Sequence, residues 1–133
     1  MSSPSQRAHL VMRIGEENSV SESHIDDVPY TEFRTRALSK RRDAMAGEIP
    51  GDMISLYRFW SHFLARHFDL EMFEEFRACA VADATGETVN TAGLKNLIAY
   101  YEAILQGDDK PPLDNMELLW GEAKELATMA ELS

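Results

Sequence analysis

Apolar side chains recur along this chain at helical spacing, in five blocks separated by turn-forming residues. The densest block is Leu56-Tyr57-Arg58-Phe59-Trp60-Ser61-His62-Phe63-Leu64-Ala65-Arg66-His67-Phe68. Leu56, Trp60, Phe63 and His67 follow the i, i+4, i+7, i+11 rule for one helix face, which predicts a buried stripe. Arg58, His62 and Arg66 follow i, i+4, i+8 on a neighbouring stripe and form a polar, cationic row on the same helix.

Around this block the pattern predicts four further helices. The first opens at Asp27-Val28-Pro29, a capping acid ahead of a proline, and buries Tyr30, Phe33, Ala37 and Leu38. It ends in Lys40-Arg41-Arg42, cations that suit the negative end of a helix dipole and also suit a phosphate. Pro50-Gly51 breaks the chain before the second helix, which is predicted from about residue 52 to residue 67. The third begins after Asp69, a good N-cap, and carries Met72, Phe73, Phe76, Cys79 and Ala80. The fourth is predicted from Thr91 to Gln106, with Gly107 as its stop. The fifth follows Asp114-Asn115-Met116-Glu117, read as an N-cap with an acid three residues on. No alternating pattern competes over these blocks, so the expected class is all-α. Residues 1–28 are polar and Ser-rich and are expected to form a mobile arm, with Ala8 to Ile14 as a short apolar patch able to dock like a strand. The helical domain is expected over residues 29–131.

The helices also repeat. Tyr30 to Leu38 aligns with Phe73 to Val81 at an offset of 43, with Glu, Phe, Arg and Ala recurring in step. Leu56, Tyr57, Phe59, Trp60, Phe63 and Leu64 align with Leu97, Ile98, Tyr100, Tyr101, Ile104 and Leu105 at an offset of 41. Two stacked helical hairpins with a C-terminal capping helix follow, a HEAT-like tandem array in which Leu56, Phe59, Trp60, Phe63 and Phe76 are expected in the core. The polar stripe does not repeat: Arg58 becomes Ala99, His62 becomes Ala103 and Ala65 becomes Gln106. The hairpin fold therefore does not require that stripe, which leaves it as surface or site.

Composition narrows the functional classes. The net charge is −10, yet residues 1–67 balance nine basic against nine acidic side chains, and residues 34–66 carry a surplus of four positive charges. Non-specific binding of a polyanion is disfavoured by the acidic second half, while a local contact on the first half is permitted. Cys79 is the single cysteine, with no spaced Cys/His set around it, so neither a disulfide framework nor a metal site is expected. No apolar run is long enough for a membrane span. His62 and His67 lie on different helix faces, and no phosphate loop or nucleophile–base pair is present; neither an enzyme nor a cofactor is expected.

The block Leu56 to Ser61, then His67-Phe68, Met72-Phe73-Glu74-Glu75-Phe76 and Ala82-Asp83-Ala84, resembles the DM-fifteen repeat region of the La-related protein one group. Tyr30, Phe33-Arg34, Arg36-Ala37-Leu38, Lys40-Arg41-Arg42 and Gly93-Leu94 extend the resemblance, which spans about residues 29–106. It implies a HEAT-like helical array in a cytoplasmic RNA-binding protein that holds the 5′ end of messages and regulates translation. It implies RNA contact through Arg58, His62 and Arg66, with Lys40 and Arg41 beside them, and a single-stranded mRNA 5′ end as partner of a monomer. Where the family cages a methylated guanine, this chain has Ala99, Ala103 and Gln106, so the resemblance carries RNA contact but not the cap cage. The alternative expectation is a protein-interaction module that kept the scaffold, offering Glu71, Glu74, Glu75 and Glu102 to a translation factor or another basic partner.

Overall fold

A computed structural model describes residues 11–14, 26–45 and 48–131. Strands β1 (Val11–Ile14) and β2 (Asp26–Pro29) pair antiparallel, with Val11 opposite Pro29 and Ile14 opposite Asp26. Five helices follow: α1 (Tyr30–Asp43), α2 (Gly51–Arg66), α3 (Leu70–Thr85), α4 (Ala92–Gln106) and α5 (Met116–Glu131). The domain is an all-α, HEAT-like array, with the short ribbon leading into its first helix. Of the arm expected over residues 1–28, residues 1–10 and 15–25 lie outside the described residues, while the apolar patch ending at Ile14 does enter a strand.

The helix boundaries depart from the sequence-based reading at two caps, those of α1 and α5. Asp27 does not cap α1, because it pairs with Arg13 in the ribbon, and Pro29 (φ −55°, ψ 132°) holds the chain extended until Tyr30. Proline at the cap position lacks only an N–H that the helix would leave unpaired. Asp69 does cap α3, its carboxylate accepting from the Met72 amide at 3.1 Å. Ahead of α4, the Asn90 side chain accepts from the Ala92 amide at 3.0 Å. α5 starts at Met116, and its first turn closes from Leu119 N–H to the Asn115 carbonyl at 3.0 Å, so Asp114 sits one residue too early for a cap.

The core is continuous through the array. Tyr30, Phe33 and Ala37 of α1 are buried, as are Phe73, Phe76 and Ala80 of α3, each 43 residues on. A further 43 residues on, Met116 and Ala123 of α5 are buried and Leu119 is half-buried against the same core. α5 thus repeats the buried signature of a hairpin's first helix while sealing α3 and α4. Ion pairs step along the stack in the same sense: Arg34 of α1 donates from Nε to Glu75 of α3 at 2.6 Å, and Arg77 of α3 reaches Glu122 of α5 at 3.5 Å. Arg34 and Arg77 are the two arginines that the repeat alignment superposes.

On α2 the buried face is Met53, Leu56, Tyr57, Trp60 and Leu64. That centre is rotated from the expected stripe, because α2 is packed against α1, α3 and α4 and buries the arc between them. Leu56, Trp60 and Phe76 are core as expected. Phe59 and Phe63 are only half-buried on the flank of α2, and His67 lies exposed beyond its last turn. Trp60 donates its indole N–H to the Tyr30 hydroxyl at 2.9 Å, which satisfies the one polar atom of the largest buried side chain.

Candidate functional site

Arg58, His62 and Arg66 are all exposed on α2. Spaced four apart at about 100° per residue, they fall on the side of the helix opposite Met53, Tyr57, Trp60 and Leu64. The packing of those large side chains fixes the roll of α2, and with it the outward aim of the stripe. A row of side chains one turn apart covers about 12 Å, close to the span of two nucleotides.

Beside this row runs an aromatic ladder that sequence reasoning had assigned wholly to the core. Tyr30 stacks on Phe59 (5.4 Å between centroids), Phe59 on Phe63 (5.4 Å, 12° between planes), and Phe63 on His67 (5.5 Å). The ladder starts at a buried tyrosine and ends at an exposed imidazole. Phe59, Phe63 and His67 each follow a member of the cationic row by one residue, so the two stripes adjoin along the helix. Cations next to half-exposed aromatic rings form the arrangement that holds a phosphate and stacks a base.

Lys40 and Arg41 are placed differently. Lys40 at the end of α1 pairs with Asp52 in the first turn of α2 at 2.9 Å, and Arg36 reaches the same carboxylate at 3.1 Å. Burial pushes the Asp52 carboxyl up, but Lys40 and then Arg36 outweigh it and leave it below its ordinary value. Arg41 turns inward to α3, donating from Nη2 to Asp83 at 2.9 Å, and Asp83 also accepts from the Tyr57 hydroxyl at 2.5 Å. Burial lowers the Arg41 value and Asp83 more than restores it, so its proton is held more tightly than usual. The Tyr57 phenol is driven far up by burial and by the Asp83 carboxylate, and it stays protonated. Arg41, Asp83 and Tyr57 therefore tie α1, α3 and α2 together. Arg41's guanidinium has a structural partner, whereas Lys40 keeps an exposed ammonium beside Asp52.

Sequence reasoning missed the Tyr57–Asp83–Arg41 link, although a signal was present. Asp83 is an isolated acid between Ala82 and Ala84, on the flank of a helix whose neighbours are small or apolar. Gly93 matters for a similar reason, a close approach between helices. A Cβ at Gly93 would come within 2.5 Å of the Tyr57 ring, so the glycine is what lets α4 close on that tyrosine.

In the second hairpin Ala99 and Ala103 stand where Arg58 and His62 do, and Gln106 where Ala65 does; all three are exposed on α4 and carry neither ring nor charge. The four acids expected to face a basic partner are placed differently. Glu75 holds Arg34, and Glu102 accepts from the Trp120 indole at 3.3 Å. Glu71 and Glu74 remain exposed.

Three helices in 43-residue steps (α1, α3 and α5), with α2 and α4 between them and a non-repeating cationic row on the first hairpin, define a HEAT-like helical-repeat module. The family described as the LARP1 HEAT repeat region matches residues 16–115, which is most of the chain, and the protein belongs to that family. The match closes one residue before α5 begins.

Proposed function

We propose that this module binds single-stranded RNA through the outer face of α2, acting at the 5′ end of messages in the cytoplasm to regulate translation. The observation that carries the reading is the alignment of Arg58, His62 and Arg66 on one exposed face beside the Phe59–Phe63–His67 ladder. Arg58 and Arg66 meet phosphates, and His62, planar and one turn from each, lies against a base between them. Lys40 adds long-range attraction from the end of α1. Arg41 contributes by holding α1 in place. Because Ala99, Ala103 and Gln106 offer no aromatic cage, affinity is expected not to depend on the methylated cap.

Fluorescence anisotropy with short pyrimidine-rich RNAs, capped and uncapped, tests this. Binding at low salt is expected, weakening with a log–log slope of about −2 for some three neutralised phosphates on a single strand. Arg58→Ala is expected to lower affinity roughly tenfold or more, with the helical fold intact by circular dichroism, since a charge-assisted contact contributes about 1.5–3 kcal/mol. Absence of binding by the wild-type protein at low salt sinks the reading, and a strong preference for capped RNA overturns the part concerning the cap.

A further inference from the structure

An arginine that the RNA reading leaves unused stands at one end of the face it describes. Arg36 of α1 reaches across to α2, donating from Nε to Asp52 at 3.1 Å, and its guanidinium lies 4.9 Å from the centre of the Phe33 ring. With both contacts made, 48% of the Arg36 side chain is still exposed. Asp52, Phe59 and Arg66 follow one another at intervals of two helical turns, so they share one stripe of α2. Arg36 therefore docks on the stripe that carries Phe59 of the ladder and Arg66 of the row. From Asp52 to Arg66 that stripe runs about 21 Å along the helix.

The hairpin fold does not require the pair. The offsets of 43 and 41 residues align Arg36 with Cys79 and Asp52 with Gly93, so the second hairpin closes without it. Arg34 and Arg77, by contrast, recur in step and join successive first helices. Arg36 thus shares the property that singled out Arg58, His62 and Arg66: it is a cation present in the first hairpin and absent from the second.

We infer that Arg36 is a further RNA contact, a guanidinium platform on which a base stacks where the strand runs past Arg58 toward the first turn of α2. The inference rests on the RNA reading and extends the same site. A guanidinium is flat and weakly hydrated, and a base stacks readily on its plane. Phe33 supports the group from one side, and the bond to Asp52 fixes its orientation, so little side-chain freedom is lost when a base covers it. Because Asp52 already balances its charge, Arg36 supplies a stacking surface rather than a phosphate clamp. Asp52 lies about 9 Å along the helix from Arg58, which lengthens the track from two nucleotides to about three or four.

Fluorescence anisotropy with a uridine tetranucleotide, and with tetranucleotides abasic at the first or the last position, tests this. Loss of the base at one end is expected to cost the wild type roughly tenfold in affinity, the size of a stacking contact. Arg36→Ala is expected to weaken binding of the intact tetranucleotide by a similar factor and to become indifferent to that abasic end. Its salt slope should stay that of the wild type, whereas Arg58→Ala makes the slope shallower. Arg36→Lys keeps the charge beside Asp52 without the plane, and is expected to bind like Arg36→Ala; circular dichroism checks the fold of each variant. Affinity unchanged in Arg36→Ala overturns the inference alone, as does full rescue by lysine, a lowered salt slope, or equal sensitivity of variant and wild type to both abasic ends. Wild-type protein that binds no RNA at low salt overturns the RNA reading and this inference with it.

Discussion

Tyr57 and Tyr100 are both fully buried, yet loss of the hydroxyl is expected to act in opposite directions at the two sites. The Tyr57 hydroxyl donates to the Asp83 carboxylate at 2.5 Å. A hydrogen bond to a charged group contributes about 1.5–3 kcal/mol, and because water reaches the Asp83 side chain in part (18% exposed) the lower end applies to Tyr57→Phe. The Tyr100 hydroxyl has no hydrogen-bond partner among the described residues, although it is buried. An unsatisfied buried hydroxyl carries a desolvation penalty, so Tyr100→Phe is expected to leave stability unchanged or raise it by about 1 kcal/mol. Both substitutions keep the ring and its packing, so the contrast isolates the hydroxyl. The two variants should differ by about 1.5–2.5 kcal/mol, which for a domain of this size separates their melting temperatures by roughly 4–10 °C. Urea unfolding followed by tryptophan fluorescence and by far-ultraviolet circular dichroism measures both. Equal loss of stability in the two variants, or a larger loss at Tyr100, refutes the assignment of Tyr57 to Asp83.

Two further expectations follow from the same packing. Gly93→Ala gains about 0.5–1 kcal/mol of helix propensity but drives a methyl into the Tyr57 ring, and a net loss of about 1–3 kcal/mol is expected by denaturant titration. Asp52, held below its ordinary value by Lys40 and Arg36 despite burial, contributes stability that is present above that ordinary value and lost as pH falls through the folded one. Melting curves of Asp52→Asn and wild type should therefore differ at neutral pH and converge in strong acid, by less than about 1 kcal/mol at most because the cations are exposed.

The stripe and the arginines show where sequence reasoning reaches and where it stops. Arg58, His62 and Arg66 were legible as a row because helical spacing is a local rule, and comparison of the two hairpins showed that the row is not needed for folding. That Lys40 and Arg41 part company was not legible. They are adjacent in the chain, and only the placement of Asp52 and Asp83 on two other helices decides that one stays exposed while the other turns inward. Phe59 and Phe63 were read as core because they share kind and spacing with Tyr100 and Ile104. Their half-exposed position depends on the roll of α2 between three neighbouring helices, which no local pattern encodes.

Hydrophobic periodicity and the 43-residue recurrence determined by themselves that this protein is an all-α repeat array, because helix faces and repeat steps are properties of spacing along one chain. Asp69 could be named as a cap for the same reason. The tertiary structure alone decided the rest. It set which polar groups meet across helices, from Tyr57 and Asp83 to Arg34 and Glu75. It closed Gly93 onto an aromatic ring, and it gave α5 the buried face of a first helix. Such contacts join residues 26 to 45 positions apart, and their partners exist only once burial has fixed the rotation of each helix.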